Sequence, residues 1–107
     1  MARAYRTPPV ALGGKIHDTA KLLGGFRPTR RLVFRLYGPG DPTCAKPPRF
    51  TTAQAVSGNG SYQSANFTPT APGTYRWRAT YTGDSANTAR NGACNAPGES
   101  VTVTRAG

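Results

Sequence analysis

The segment Gly73–Tyr81, with the sequence GTYRWRATY, alternates large apolar side chains with polar or charged ones over a full strand length. Successive side chains of a strand point to opposite faces, so Tyr75 and Trp77 share one face and Arg76 and Arg78 share the other. The segment holds the single tryptophan of the chain. It predicts a half-buried β-strand in which Trp77 and Tyr75 anchor a core and the reverse face is basic.

The rest of the chain also has the pattern of short strands separated by turns. Thirteen glycines and ten prolines among 107 residues leave little room for long helices, because both residue types disfavour helix interiors. Apolar alternation recurs over residues 16–23, 31–37 and 99–104, and the turn signal Gly58-Asn59-Gly60 predicts a hairpin. We therefore predict an all-β protein with a single domain over residues 15–107.

The first fourteen residues are expected to form a separate, basic and extended N-terminal arm, residues 1–14. Arg3, Tyr5 and Arg6 precede a pair of prolines, and we expect these three side chains to contact a partner. The stretch lacks the apolar core of about 7–15 residues that a secretory signal carries, so no signal peptide is predicted in this chain. No run approaches the roughly 20 apolar residues that span a bilayer, and we expect no membrane insertion.

The charge of the chain is strongly positive. Fourteen Lys and Arg residues stand against four Asp and Glu residues, which gives a formal net charge of +10. Such a charge attracts anionic partners over a long range, and it also keeps a protein soluble. Both interpretations stay open at this point, and neither bears on the fold.

The two cysteines, Cys44 and Cys94, lie among Pro, Gly, Ala and Asn residues, which are typical of loops. They predict a disulfide and an oxidising final location, and the alternative is a pair of exposed free thiols. Two cysteines and the single His17 lack the ligand spacing of a metal site. We predict no metal and no cofactor.

The supply of catalytic side chains argues against an enzyme. One His, one Glu and three Asp are spread along the chain as His17, Glu99, Asp18, Asp41 and Asp84, whereas acid–base catalysis needs such groups placed together. Asp18 and Glu99 are expected to pair with Arg or Lys. We predict no catalytic residue and a structural or binding role.

Three segments resemble the bacterial immunoglobulin-like repeats of actinobacterial and phage surface proteins: DTAKLLGGFRPTRRLVFRLYGPGDPTC, GNGSYQSANFTPTAPGTYRWRATYTGD and GACNAPGESVTV. The resemblance covers residues 16–104. It implies an immunoglobulin-like β-sandwich of about seven antiparallel strands, a disulfide between Cys44 and Cys94, and a tyrosine corner at Tyr75. Trp77 stands where antibody domains have a cysteine, so the implied disulfide is not of the antibody type.

This chain departs from the resemblance by its basic residues. Thr, Ser or Gly is expected at six positions that are here Lys21, Arg27, Arg30, Arg31, Arg35 and Arg78. In the implied fold the strands 32–37 and 75–81 are neighbours, and their outward residues include Arg31, Arg35, Arg76 and Arg78. Four guanidinium groups within a Debye length of about 8 Å repel one another unless an anion lies among them. These residues are expected to form a basic binding face, and the alternative is a solvated face whose Arg stems cover Val33 and Tyr37.

The function expected from these features is a non-catalytic structural module on a bacteriophage virion, where it decorates the capsid through its basic face and N-terminal arm. One alternative is an excised repeat of a bacterial cell-surface adhesin, and another is a polyanion or nucleic-acid binding domain. The expected partners are capsid or cell-surface proteins or another anionic surface. Nucleic acid is the less favoured partner, and a homo-oligomer is a further option. The expected location is the virion surface, the cell surface or the extracellular space.

Overall fold

The computed structural model describes residues 9–96 and 99–105, and within these residues the chain forms strands and no helix. Eight strands follow one another in the order β1 (Val10–Ala11), β2 (Thr19–Leu22), β3 (Arg31–Tyr37), β4 (Phe50–Ala55), β5 (Gly60–Gln63), β6 (Gly73–Tyr81), β7 (Arg90–Asn91) and β8 (Ser100–Thr104). The all-β prediction is therefore confirmed.

The strands form one large and one small sheet. The large sheet has the order β1-β8-β6-β3-β4, with β7 paired to β6 beside β8, and the small sheet consists of β2 and β5. Strand β6 is central in the large sheet, because it pairs antiparallel with β3 on one side and with β7 and β8 on the other. The alternating strand Gly73–Tyr81 thus organises the larger of the two layers.

One edge of the large sheet corrects the expectation of antiparallel strands throughout. Strand β1 runs parallel to β8, with Val10 opposite Val103, and the large sheet is mixed. Nearly the whole domain separates β1 from β8 in sequence, so the chain can return to this edge in the same direction. Val10 and Leu12 also pack against the core, which gives the short edge strand a reason to lie there.

The predicted hairpin at the glycine turn is wrong. Strands β4 and β5 flank that turn, but β4 pairs with β3 in the large sheet and β5 pairs with β2 in the small one. Val56 N–H donates to the carbonyl of Arg30 at 2.8 Å, and Gly58 N–H donates to the carbonyl of Pro28 at 2.9 Å. The turn is therefore hydrogen-bonded to the loop between β2 and β3, and it leads the chain from the large sheet into the small one.

The core contains inward residues of β2 in the small sheet and of β3, β6 and β8 in the large, mixed sheet. Each fully buried Leu or Phe contributes about 1.5–3 kcal/mol relative to its exposure. The apolar residues of the core are Ile16, Ala20, Leu22, Leu32, Phe34, Leu36, Val56, Tyr75, Trp77, Ala79, Tyr81, Val101 and Val103. Trp77 and Tyr75 are 2% and 1% exposed, so both lie in the core, as the alternation along β6 requires.

Aromatic rings fill one part of the space between the sheets. Phe50 and Phe67 contact each other at 5.2 Å between ring centroids, Phe50 meets Trp77 edge-on at 6.3 Å, and Phe67 lies 6.2 Å from Tyr75. Such offset and edge-on contacts contribute about 0.5–1.5 kcal/mol beyond area burial. The hydroxyl of Tyr75 donates to the carbonyl of Ala71 at 2.8 Å, which satisfies its polar group at the start of β6.

Candidate functional site

The arginines predicted for the outer surface lie on β3 and β6, which are adjacent strands of the large sheet. Arg35 pairs directly with Arg78, and Tyr37 pairs with Arg76. Directly opposed residues of an antiparallel pair have Cβ atoms about 4.5–5.5 Å apart, and like charges in such positions repel. The register thus places two guanidinium groups side by side in one cross-strand pair.

Strand β4 adds an arginine that the sequence alone did not assign to this surface. The β3–β4 register pairs Leu36 with Phe50, and Arg49 N–H donates to the carbonyl of Leu36 at 2.7 Å. Arg49 therefore lies just before β4, beyond the last paired residue of that strand, and close to the end of β3 where Tyr37 pairs with Arg76. The side chain of Arg49 lies against Gly38, where an added Cβ would approach Arg49 Nε to 2.7 Å. We call Arg35, Arg49, Arg76 and Arg78 the arginine face.

Arg31 lies apart from the arginine face, although it occupies the same side of β3. Arg31 lies four positions before Arg35 along β3, and at the rise of a β-strand this corresponds to a distance of about 13 Å. That distance exceeds the Debye length of about 8 Å at physiological salt. Arg31 is the first residue of β3 and is exposed. Its charge therefore acts largely independently of the four arginines of the arginine face.

Two members of the arginine face are fixed by hydrogen bonds to the loop that follows β7. Arg78 Nε donates to the carbonyl of Gly92 at 2.9 Å, and Arg76 Nε donates to Asn95 Oδ1 at 2.6 Å. A Cβ at Gly92 would lie 2.7 Å from the carbonyl oxygen of Ala79, so only glycine allows this loop to lie so close to β6. Each bond uses one of five guanidinium N–H donors, which leaves others for an oxyanion.

The predicted disulfide is confirmed and lies beside the arginine face. Cys44 and Cys94 are joined with a Cα–Cα distance of 5.9 Å. Asn95, which accepts from Arg76, also donates from Nδ2 to the carbonyl of Pro42 at 2.6 Å. The two cysteine loops are thereby joined next to Tyr37, which is only 6% exposed although it lies on the outer side of β3.

Three of the four Asp and Glu side chains of the chain are buried. Asp18, Asp41 and Glu99 are 1%, 4% and 2% exposed. The carboxylate of Asp41 accepts the N–H groups of Ala45 and Lys46 at 2.8 and 3.0 Å. The positive charges of the surface therefore have little negative charge of the chain's own beside them.

Asp18 corrects the expectation that it pairs with Arg or Lys. It faces the core from the approach to β2, where its carboxyl contacts the carboxyl of Glu99 and the backbone N–H of Thr19, and no Arg or Lys bonds to it among the described residues. Burial raises the pKa of Asp18 to about 6, and its contact with the carboxyl of Glu99 offsets part of that rise. Two carboxyl groups in contact form a hydrogen bond only when one keeps its proton.

Asp84 shows the opposite behaviour in the loop after β6. The N–H of Thr29 donates to Asp84 Oδ2 at 2.7 Å, and the N–H groups of Ala86 and Asn87 donate to Oδ1 at 2.8 Å each. These bonds, first that from Thr29, hold the pKa of Asp84 well below its usual range. The aspartate is a structural centre of the loop and not a free surface charge.

Three further predictions from the sequence concern a metal site, a membrane-spanning segment and the N-terminal arm. Within the described ranges no group of three or more His, Cys, Asp or Glu side chains is placed to hold a metal ion. In the same part of the chain no helix has the length and apolarity needed to cross a membrane. The predicted arm contacts Arg3, Tyr5 and Arg6 lie outside the described residues.

Comparisons with known proteins do not identify a relative. No family model matches this sequence, and neither does any curated protein or solved structure.

Proposed function

We propose that this chain is a non-catalytic binding module that attaches to an acidic protein surface of a larger assembly through the arginine face. The observation that carries the proposal is the direct pairing of Arg35 with Arg78, in a chain whose acidic side chains are largely buried. A partner that supplies carboxylates would relieve the repulsion and use N–H donors whose positions are already fixed.

The energy of the unpaired arginines supports an external anion. Two unit charges about 6 Å apart repel by about 1–3 kcal/mol between the dielectric constants of water and of a protein surface. A carboxylate placed between the two guanidinium groups replaces this repulsion with two charge-assisted hydrogen bonds. Because Arg76 and Arg78 are already held through Nε, little side-chain entropy is lost when such a partner binds.

We further propose that the two sheets are the layers of an immunoglobulin-like sandwich. Three features support this: a separate two-stranded sheet besides the larger one, a core to which both sheets contribute, and the bond from Tyr75 OH to the carbonyl of Ala71. A tyrosine that bonds backward to the chain at the start of its strand is the tyrosine corner of such domains. Modules of this architecture present stable faces for binding.

The setting we favour is the surface of a bacteriophage virion, with Arg3, Tyr5 and Arg6 of the N-terminal arm as a second attachment. The disulfide suits an oxidising final location. The alternative is a repeat of a bacterial cell-surface adhesin. Mass spectrometry of purified virions and of washed cell envelopes from the source distinguishes them. Peptides of this chain in the virion fraction support decoration, and their restriction to the envelope supports the adhesin.

Binding of nucleic acid or another polyanion is the second candidate, and the positive surface favours it. Binders of single strands stack bases on exposed aromatic rings. The aromatic residue of the arginine face is Tyr37, and at 6% exposure it offers no ring surface for stacking. We therefore rank this function below attachment to protein.

Binding to immobilised polyglutamate and to random duplex DNA at about 0.15 M salt tests both functions. The face variant is Arg35→Gln with Arg78→Gln, and the matched control is Lys15→Gln with Lys21→Gln, since these lysines are exposed and outside the arginine face. Both doubles remove two charges from the same net charge of +10. We expect the face variant to lose about tenfold more affinity for polyglutamate than the control.

An equal loss in both doubles would show that net charge alone drives binding and would overturn the arginine face. Tighter binding to DNA than to polyglutamate, lost steeply with rising salt, would favour the nucleic-acid function instead.

A further inference from the structure

One end of the molecule gathers three loops, residues 23–30, 56–59 and 82–89, into a fixed arrangement. The side chain of Asn59 exchanges two hydrogen bonds with the backbone of Gly25, at 2.9 and 2.7 Å. The side chain of Asn87 does the same with Phe26, at 2.9 and 3.0 Å. Both amides act as donor and acceptor at once, so they hold the backbone of loop 23–30 in place from two sides.

Loop 23–30 displays two large apolar side chains on this fixed backbone. Leu23 is 68% exposed and Phe26 is 69% exposed. The guanidinium of Arg27 lies 5.7 Å from the centre of the Phe26 ring. Arg27 and Arg30 have positive φ angles of 43° and 78°, a conformation that a residue with a side chain keeps only when its surroundings impose it. The loop is therefore held in the shape that exposes these groups.

A cleft of about 290 Å³ opens beside Leu23, between loop 23–30 and loop 82–89. Its walls include the buried residues Leu22, Pro28 and Tyr81, together with Arg90. The volume is at the lower end of the range of about 300–1,000 Å³ for small-molecule pockets. Most of its exposed lining is polar, so the cleft suits a polar or acidic side chain of a peptide better than an apolar one.

The charge around the cleft is positive. Arg27, Arg30 and Arg90 are all exposed. The acidic residue of the three loops is Asp84. Its Oδ1 accepts a hydrogen bond from the N–H of Asn87 at 2.8 Å, and its Oδ2 accepts one from the hydroxyl of Tyr81, the last residue of β6, at 3.0 Å. A ligand at this end meets apolar surface surrounded by guanidinium groups.

We propose that this loop end binds an acidic peptide segment of another protein, with a Leu or Phe side chain of the segment against the exposed Leu23 and Phe26. The peptide's apolar side chain contacts Leu23 and Phe26, and its flanking carboxylates pair with Arg27 and Arg90. A second copy of this chain is a poor occupant, because its net charge of +10 would be brought against the same charge. Nucleic acid is disfavoured because Arg27 already covers the Phe26 ring and Leu23 offers no stacking surface.

This site is distinct from the arginine face and goes beyond the function proposed for it. The loop end uses residues of loops 23–30 and 82–89 and the first residue of β7, whereas the arginine face uses β3, β6 and the residue before β4. Each proposal can therefore fail while the other stands.

Fluorescence anisotropy with the full chain tests the site, with a labelled peptide that has a Leu-Phe pair between runs of Glu. Two control peptides replace Leu-Phe by Ser-Ser or each Glu by Gln. We expect saturable binding of the first peptide and about tenfold weaker binding of each control. The variants Leu23→Ser and Phe26→Ser change exposed positions, and each should weaken binding about tenfold. Binding is measured in the Arg35→Gln, Arg78→Gln protein, which removes the arginine face as a second site for Glu. Lys15→Gln, exposed and outside both sites, serves as the matched variant and should leave binding unchanged.

Several outcomes would overturn the proposal. No saturable binding up to about 1 mM peptide, the weakest affinity of interest, would do so. Equal binding of the Ser-Ser peptide, or full binding by Leu23→Ser, would show that the exposed apolar side chains of the loop end are not used. Binding of a labelled oligonucleotide that Phe26→Ser abolishes would assign the end to nucleic acid. Concentration-dependent dimerisation that Leu23→Ser abolishes, measured by sedimentation, would assign it to a second copy.

Discussion

The buried carboxyl of Asp18 leads to an unusual prediction: the protein becomes more stable as the pH falls from 7.5 to 5. Burial raises the pKa of Asp18 from 3.8 to about 6, whereas the unfolded chain keeps the ordinary value. Between these two values the native state binds more protons than the unfolded state, so the free energy of unfolding falls as pH rises through this window. Asp18 and Glu99 titrate together, because their carboxyl groups are in contact.

The size of the effect follows from the difference between the two pKa values of Asp18, 3.8 in the unfolded chain and about 6 in the native protein. One unit corresponds to about 1.4 kcal/mol, so the full change is about 3 kcal/mol, and about 1.4 kcal/mol of it falls between pH 7.5 and 5. The depressed pKa of Asp84 acts in the opposite direction, but only below the ordinary range of an aspartate. Its contribution is therefore complete throughout this window and does not mask that of Asp18.

Urea unfolding at both pH values measures this change. Trp77 is 2% exposed, so its fluorescence reports exposure of the core on unfolding. All proteins carry His17→Gln, which leaves no histidine in the chain. We expect Asp18→Asn to abolish the gain in stability at pH 5, because an amide has no proton to lose. A flat or falling stability from pH 7.5 to 5 in the His17→Gln protein, or a gain that Asp18→Asn retains, would refute the reasoning.

Two further predictions concern the stability of the loops around the sheets. Replacing Cys44 and Cys94 by Ala should lower the free energy of unfolding by about 4 kcal/mol, because the bridge closes a loop with a sequence separation of 50; urea midpoints measure this, and an unchanged midpoint would contradict it. Tyr75→Phe removes the bond to the carbonyl of Ala71 and should cost about 1 kcal/mol. Thermal unfolding measures that change, with Tyr62→Phe as a second hydroxyl deletion for comparison.

The fold was predictable where one side of a strand is buried and the other is not. The alternation in Gly73–Tyr81 assigned every residue of β6 to a face, because a strand slipped by one residue would expose Trp77. The glycine turn before Gly60 was misassigned, since turn chemistry specifies a reversal of the chain but not which strand the chain pairs with next. That choice depends on β2 and β3, which offer free edges to β5 and β4 but lie far from the turn in sequence.

The candidate sites were predictable only in part, for a related reason. The neighbouring positions of Arg35 and Arg78 followed from the expected adjacency of their strands. The position of Arg49 depends on its contacts with Leu36 and Gly38, which exist only in the folded chain. The pairing of Asp18 with Glu99 joins positions 81 residues apart, and no local pattern marks it. Leu23 appeared to be one more residue of an alternating strand, and its exposure depends on loops that meet only in the folded chain.

The most direct test of the central claim is a titration of the isotopically labelled protein with a short oligoglutamate, followed through the Nε–Hε resonances of its arginines. If the arginine face binds acidic partners, the resonances of Arg35, Arg49, Arg76 and Arg78 shift together and saturate, while that of Arg105 does not change. Those of Arg76 and Arg78 start from hydrogen-bonded positions, with donor–acceptor distances of 2.6 and 2.9 Å. Shifts spread evenly over all arginines, without saturation, would contradict the arginine face as a binding site.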